Sequence, residues 1–78
     1  MERRPLGSSV LVAAGYDAEQ QILELAFANG RVYRYASVPE LVHRRLIKAP
    51  SAGEFFNAEI RDHYPSERID APTPRGAS

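Results

Sequence analysis

The stretch from Leu23 to Pro39, LELAFANGRVYRYASVP, constrains the fold most because it predicts two strands joined by a tight turn. Apolar residues alternate with polar or small ones over Leu23–Phe27, which is typical of a strand with one face in water. Asn29-Gly30 readily adopts positive φ angles, and Arg31–Tyr35 then returns to strand-forming residues. The stretch therefore predicts a β-hairpin.

Two registers of this hairpin compete, and they differ in the face on which Arg34 lies. A two-residue turn at Asn29-Gly30 would place Arg34 on the apolar face. A three-residue loop over 28–30, with Gly30 as a bulge, would place Arg34 outside, opposite Glu24. We expect the three-residue loop, since a slip of one residue moves every side chain to the other face. It predicts the pairs Phe27 with Arg31, Leu25 with Tyr33, Glu24 with Arg34 and Leu23 with Tyr35.

A further strand is predicted before the hairpin, over residues 9–16. A short turn over 17–20 joins the two, because an aspartate at the first position of a turn can bond its own backbone. Pairing Tyr16 with Gln21 would then turn one set of small and apolar residues toward the core. These residues are Val10, Val12 and Ala14.

Two helices are predicted after the hairpin. The first has Pro39 at its first helical position and ends before Pro50. The second begins at a capping box, SAGE over 51–54, and runs to about His63. The apolar stripe of the first helix follows spacings of three and four and comprises Val38, Leu41, Val42, Leu46 and Ala49.

These elements predict an α+β fold, a three-stranded antiparallel β-meander followed by two α-helices packed on one face. We expect one domain over 8–65, a flexible N-terminal tail over 1–7 and a disordered C-terminal tail over 66–78, which is rich in proline and poor in apolar residues. At 78 residues there is room for one modest core, and a monomer or weak dimer is expected.

Composition excludes several classes of protein. The chain has no cysteine and therefore neither disulfides nor a thiolate metal site. It has no long apolar run and no signal-peptide pattern, so we expect a cytoplasmic protein without a membrane association. Between Ser8 and Pro65 there are six basic and seven acidic residues, whereas a dedicated nucleic-acid binder usually carries excess positive charge.

Tyr33 and Tyr35 share one face of the predicted strand, and two interpretations follow. Their rings could form a platform on which two unpaired bases stack. Alternatively, both rings lie under the helices and only their hydroxyls reach polar partners. The register that turns Arg34 outward favours the second interpretation.

Two further sets of residues could bind anions. Ser51 and Gly53 lie at a predicted helix start, where backbone N–H groups attract anions, and Asn57 lies within reach of Arg61. The alternative is an ordinary helix cap. The densest basic cluster, Arg44, Arg45 and Lys48 beside His43, could follow a phosphate backbone or could be a solvated helix face.

Catalysis has little support in the sequence. The two histidines, His43 and His63, lack the spacing of metal ligands, and no nucleophile motif is present. We therefore expect no enzyme activity, no catalytic residue, no metal and no cofactor.

Residues 8–65 resemble the KTSC domain, a short module named for its occurrence at the C-terminus of some lysyl-tRNA synthetases and also found as small bacterial and phage proteins. The residues that carry the resemblance are Ser8-Ser9, Gly15-Tyr16-Asp17, Asn29-Gly30, Val32-Tyr33-Arg34-Tyr35, Val38-Pro39, Ala49, Ser51, Gly53, Phe56-Asn57, Ile60-Arg61 and Tyr64. The resemblance implies RNA as a ligand and no catalysis. The RNA contacts expected on this basis are Arg34, Arg44, Arg45, Lys48 and Arg61 for phosphates, with Tyr33 and Tyr35 for bases.

The alternative function is a protein-interaction adaptor. Its partner would bind the exposed sheet face, or would add a strand to the free edge of the third strand.

Overall fold

The computed structural model describes residues 3–6 and 9–70, in which a five-stranded antiparallel sheet carries two helices on one face. The strands lie in the sheet in chain order and are β1 (Arg3–Pro5), β2 (Leu11–Asp17), β3 (Ile22–Phe27), β4 (Val32–Tyr35) and β5 (Ser66–Arg68). The helices, α1 (Glu40–Lys48) and α2 (Ala52–Glu59), lie between β4 and β5 in the chain. The α+β prediction, with helices following an antiparallel meander, is confirmed.

The hairpin of β3 and β4 has the three-residue loop that was predicted from the need to bury its apolar residues and expose Arg34. Leu25 pairs with Tyr33 and Glu24 with Arg34. Gly30 has a φ angle of 92°, and its N–H donates to the Phe27 carbonyl at 3.0 Å. The predicted register and the glycine bulge are therefore confirmed.

Glu24 and Arg34 lie on the outer face of the sheet, as the register required. The Glu24 carboxylate accepts from Arg34 Nε at 3.0 Å and meets Arg3 Nε at 3.2 Å. Arg3 of β1 pairs with Gly15 of β2, and Gly15 in turn pairs with Glu24 of β3. Because glycine has no side chain, the Arg3 side chain can cross β2 and reach Glu24. Although Glu24 is only 6% exposed, its charge is held between two cations.

The prediction of tails was wrong for two segments, since Arg3–Pro5 forms β1 and Ser66–Arg68 forms β5. Both strands are three residues long and complete hydrogen bonds that β2 and β4 would otherwise leave open. Asp70, which follows β5, extends the pairing of β5 with β4, because its Oδ1 accepts from the Val32 N–H at 2.9 Å. Residues 1–2, 7–8 and 71–78, which also belong to the predicted tails or their boundary, lie outside the described residues.

The first predicted strand differs in register. Tyr16 pairs with Leu23 and Ala14 with Leu25, and an irregularity between Leu11 and Ala13 changes the face of the residues before it. As a result Leu11 is buried, whereas Val10 and Val12, predicted to face inward, are 49% and 43% exposed. The sequence predicted that inward-facing and outward-facing residues alternate without a break along β2, but a β-bulge interrupts this alternation.

The first helix begins one residue later than predicted, because Pro39 is its N-cap and Glu40 its first helical residue. It ends at Lys48, before Pro50 as expected. Leu46 belongs to the core, but Leu41, predicted in the same stripe, is 59% exposed.

The second helix has the serine half of the predicted capping box but is shorter than predicted. Ser51 Oγ accepts from the Glu54 N–H at 3.3 Å, and the helix ends at Glu59 rather than His63. The core between sheet and helices comprises Leu11, Ala14, Leu23, Leu25, Tyr35, Val38, Leu46, Ala52, Phe56 and Ile60.

Candidate nucleic-acid interface

Tyr33 and Tyr35 lie side by side on the inner face of β4, but the helices cover them unequally. Phe56 of α2 packs edge-on against Tyr35, with ring centroids 5.7 Å apart, and Tyr35 is only 4% exposed. Tyr33 is half-buried and packs edge-on against Phe27 at 5.8 Å. Burial therefore removes the ring of Tyr35 from the base-stacking platform, whereas part of Tyr33 stays accessible.

A groove of about 320 Å³ opens beside these tyrosines and is called the tyrosine groove below. The loop between β3 and β4 forms one part of its wall, and the residues after α2 form another. Its lining comprises Phe27, Asn29, Arg31, Tyr33, Tyr35, Phe56, Arg61, Asp62 and Ser66.

Cations and hydroxyls in the groove are available to a ligand. Arg31 and Arg61 are both exposed, and neither forms an ion pair with any described residue. The nearest partner of Arg61 is Asn57, whose Oδ1 lies 3.5 Å from Nη1. The hydroxyls of Tyr33 and Tyr35 have no hydrogen-bond partner among residues 3–6 and 9–70.

Tyr35 contributes a neutral hydroxyl. Burial raises its pKa to about 12, with a further increase from Tyr33 and Asp62 and an opposing effect of Arg61. At neutral pH the group is therefore protonated and can donate a hydrogen bond. Among the described residues, Asp62 is the one carboxylate in the groove lining, and it can accept from an amino group of a ligand.

The residues predicted to contact RNA fall into three places. Tyr33, Tyr35 and Arg61 converge in the tyrosine groove. Arg34 lies on the opposite face of the sheet, bonded to Glu24. The third group, Arg44, Arg45 and Lys48, lines a separate groove of about 350 Å³ that shares no residue with the first and is called the basic groove below; its other lining residues are Leu41, Ala49, Pro50 and Phe55.

The structure does not unite the predicted anion-binding residues. The hydroxyl oxygen of Ser51 caps the helix, and Gly53 is buried. Asn57 lies six residues after Ser51, which corresponds to about 9 Å along the helix axis. Ser51 and Gly53 therefore serve the helix start, while Asn57 lies beside Arg61 near the tyrosine groove.

Sequence reasoning missed four polar residues of the groove lining, which are Asn29, Arg31, Asp62 and Ser66. The predicted register paired Arg31 with Phe27, which was a usable signal that it lies at the inner face. Nothing comparable identified Ser66, since its position depends on the pairing of β5 with β4.

The two histidines of the chain make different contacts. His43 stacks on Tyr16 at 4.8 Å between ring centroids, and Nε2 of His63 lies 3.1 Å from the Ala58 carbonyl oxygen. Within residues 3–6 and 9–70, no group of three or more histidine or acidic side chains could hold a metal ion. In the same part of the chain, neither helix has the length and apolar character needed to cross a bilayer.

Comparison with known proteins is consistent with this fold. The family model described as the KTSC domain matches residues 7–64. An uncharacterised protein of Stutzerimonas stutzeri is 48% identical over 71 residues, which cover 90% of this chain and all of the relative. A lysine–tRNA ligase of Nostoc punctiforme is 36% identical over 66 residues, which cover 85% of this chain but 12% of the ligase.

A solved structure is similar as well. The crystal structure of a KTSC domain protein from Yersinia pestis superposes with a TM-score of 0.83 at 35% sequence identity, covering 87% of this chain and 96% of that chain.

Proposed function

We propose that this chain, which belongs to the KTSC domain family, is a non-catalytic module that binds unpaired RNA through the tyrosine groove. The observation that carries the proposal is a half-buried Tyr33 in one groove with two exposed arginines, Arg31 and Arg61, that have no carboxylate partner in the described chain. RNA binding also implies a cytoplasmic location, which is part of the same proposal.

The relatives provide independent support. The name lysine–tRNA ligase includes an RNA, namely tRNA. A stretch similar to this chain makes up 12% of the Nostoc punctiforme ligase. A similar stretch thus occurs both in a ligase and as a small protein of nearly the same length as this chain. This distribution fits a binding function that does not depend on the ligase.

Each groove residue has a distinct role in this proposal. Tyr33 provides an aromatic surface for one unpaired base, a contact worth about 1–3 kcal/mol. Arg31 and Arg61 bind the flanking phosphates. The Tyr35 hydroxyl donates to the base or ribose, and Asp62 accepts from a base amino group.

Arg34, Arg44, Arg45 and Lys48, which sequence reasoning also assigned to phosphates, are not part of this site. Arg34 is engaged by Glu24 on the other face of the sheet. The other three line the basic groove, so the described part of the chain offers a ligand in the tyrosine groove two arginines, Arg31 and Arg61. The affinity should accordingly be modest and depend moderately on salt.

The experiment is fluorescence anisotropy with short labelled single-stranded RNA at about 50 and 200 mM salt. Two phosphate contacts on single-stranded RNA give a slope of about −1.4 in log K against log salt, which is a loss of about sevenfold over this range. Tyr33→Ala should weaken binding by about 5- to 140-fold, and Tyr33→Phe should retain the stacking contribution.

A matched pair of variants identifies the site. Arg61→Ala should reduce the salt slope by about 0.7, because one phosphate contact is lost. Arg44→Ala, an exposed arginine outside the groove, should leave the slope unchanged. Equal effects of both variants, or no binding of RNA at the lower salt concentration, would refute the proposal.

The structure leaves fewer surfaces for the adaptor alternative than the sequence did. Strand addition to β4 is wrong as proposed, because β5 already pairs with that edge. The remaining version uses the outer face of the sheet, where half-buried Ala26 and Val32 form a cross-strand pair on the side away from the helices. An apolar interface there would respond little to salt, unlike the RNA complex.

A further inference from the structure

The basic groove combines three cations with an apolar floor, and the RNA proposal leaves it without a role. Leu41, Arg44, Arg45 and Lys48 follow spacings of three, four and seven, so they lie on one face of α1. Pro50 and Phe55 contribute to the floor from the connection between the helices and from α2.

Leu41 is the clearest sign that this face is more than a solvated surface. It is 59% exposed and the most exposed large apolar residue of the described chain. Scattered apolar side chains are common on protein surfaces, but this one lies in a groove whose floor is also apolar. A complementary ligand would therefore remove apolar area from water.

The cations of this groove have no acidic partner within residues 3–6 and 9–70. The negative end of the helix dipole stabilises Arg45 and Lys48, which lie in the last turn of α1. Arg44 and Lys48, however, are like charges four residues apart, an arrangement that costs about 0.2–0.5 kcal/mol. An acidic ligand would relieve this repulsion and would meet three cations that have no acidic partner in the described chain.

The apolar floor distinguishes a protein ligand from RNA. A phosphate backbone has charge but no aliphatic groups to place on Leu41, Ala49 and Pro50. The aromatic surface open to a base is reduced, because the guanidinium carbon of Arg45 lies 5.9 Å from the centroid of Phe55 and so covers part of that ring. Acidic residues next to leucine or phenylalanine satisfy both parts of the groove.

We infer that the basic groove is a docking site for an acidic amphipathic segment of a protein partner. Leucine or phenylalanine anchors of that segment would lie on Leu41, Ala49 and Pro50, and its carboxylates would pair with the three cations of the groove. This site is independent of the tyrosine groove, since the two share no lining residue. The protein could thus hold RNA and a protein partner at the same time.

The test is a titration of the isotope-labelled full chain with a synthetic peptide, followed by amide chemical shifts. The peptide has about 14 residues, which is four helical turns, with leucines on one face and glutamates elsewhere. A second peptide has the same composition but leucines distributed around the helix. The first should shift the amides of residues 41–49 and 55 and leave those of residues 31, 33 and 61 unchanged, and the second should bind at least about tenfold more weakly.

Two exposed positions give the matched variants. Leu41→Ser should weaken binding of the first peptide about tenfold, which is the loss expected for one buried leucine anchor. Arg31→Ser, a change at another exposed residue, which lies in the tyrosine groove, should leave peptide binding unchanged while weakening RNA binding. Unchanged folding of both variants is verified by the dispersion of the same spectra.

Three outcomes would overturn the inference. Equal binding of the two peptides would show attraction by charge alone. Shifts of residues 41–49 by single-stranded RNA, with displacement of the peptide, would assign the groove to nucleic acid. The absence of any shift at these residues would show that the groove does not accept this chemistry.

Discussion

Glu24 lies at the centre of the outer sheet face, and its replacement is the most informative test of the sheet. Glu24→Gln keeps the size of the side chain and one oxygen acceptor but removes the charge between Arg3 and Arg34. Any loss of stability therefore measures the ionic part of the contact rather than packing.

The magnitude follows from exposure. Breaking a fully buried ion pair costs about 3–5 kcal/mol, because a charge remains buried without a partner. Here the two charges left behind belong to Arg3 and Arg34, whose side chains are 39% and 49% exposed and can regain water. The expected loss is therefore about 1–2 kcal/mol, which overlaps the lower end of the range for hydrogen bonds to charged groups. For a chain of this size it corresponds to a decrease in Tm of about 5–15 °C.

The assay is thermal and urea denaturation followed by circular dichroism, with Glu59→Gln as control. Glu59 is exposed and has no ion pair in the described chain, so its change should leave Tm unaltered. A double-mutant cycle with Arg34→Gln isolates the pair and should give a coupling of at least about 0.5 kcal/mol. A Tm of Glu24→Gln indistinguishable from that of Glu59→Gln would refute the ionic role of Glu24.

Three further predictions address the turn, the helix cap and the last strand. Gly30→Val should lower the free energy of unfolding by about 1–3 kcal/mol, because a β-branched residue resists a φ angle of 92°. Steric overlap is not the cause, since no atom lies within 4 Å of the position that the Cβ atom would take. An unchanged Tm would contradict the turn, and Gly30→Asn should cost less. Ser51→Ala should cost about 0.5–2 kcal/mol through loss of the cap, which urea denaturation can measure, and equal stability would contradict a helix start there. The hydrogen bond from Arg68, together with that from the Val32 N–H, lowers the pKa of Asp70 from 3.8 to about 2, so this contact is complete above pH 3.8 and is lost as the pH falls toward 2. The protection of the Val32 amide against hydrogen exchange, taken relative to the intrinsic rate at each pH, should fall over that range, and constant protection would count against it.

The central hairpin was predictable because its information is local. Alternation over Leu23–Phe27 specifies a buried face, and Asn29-Gly30 specifies where the chain reverses. The requirement that Arg34 face water then selects one register of two, and that register is present. The helix start at Ser51 was predictable for the same reason, since the hydroxyl and the N–H that it accepts from are three residues apart.

The candidate site was predictable only in part. The sequence placed Tyr33 and Tyr35 on one face, but their exposure depends on where Phe56 of α2 comes to lie. It also grouped five cations as one phosphate-binding set, namely Arg34, Arg44, Arg45, Lys48 and Arg61. The structure separates Arg34 and the basic groove from the tyrosine groove, because the positions of residues on different elements depend on how those elements pack.

The sequence by itself determined the α+β order of elements, the hairpin register and the second helix cap, which all depend on residues close in the chain. Tertiary structure alone decided that Arg3–Pro5 and Ser66–Arg68 pair as edge strands, since neither has an alternating pattern and both form only against open backbone groups of β2 and β4. It also decided that Leu11 enters the core while Leu41 stays in water. The physical reason is that burial is shared among elements far apart in sequence, so no local pattern can specify it.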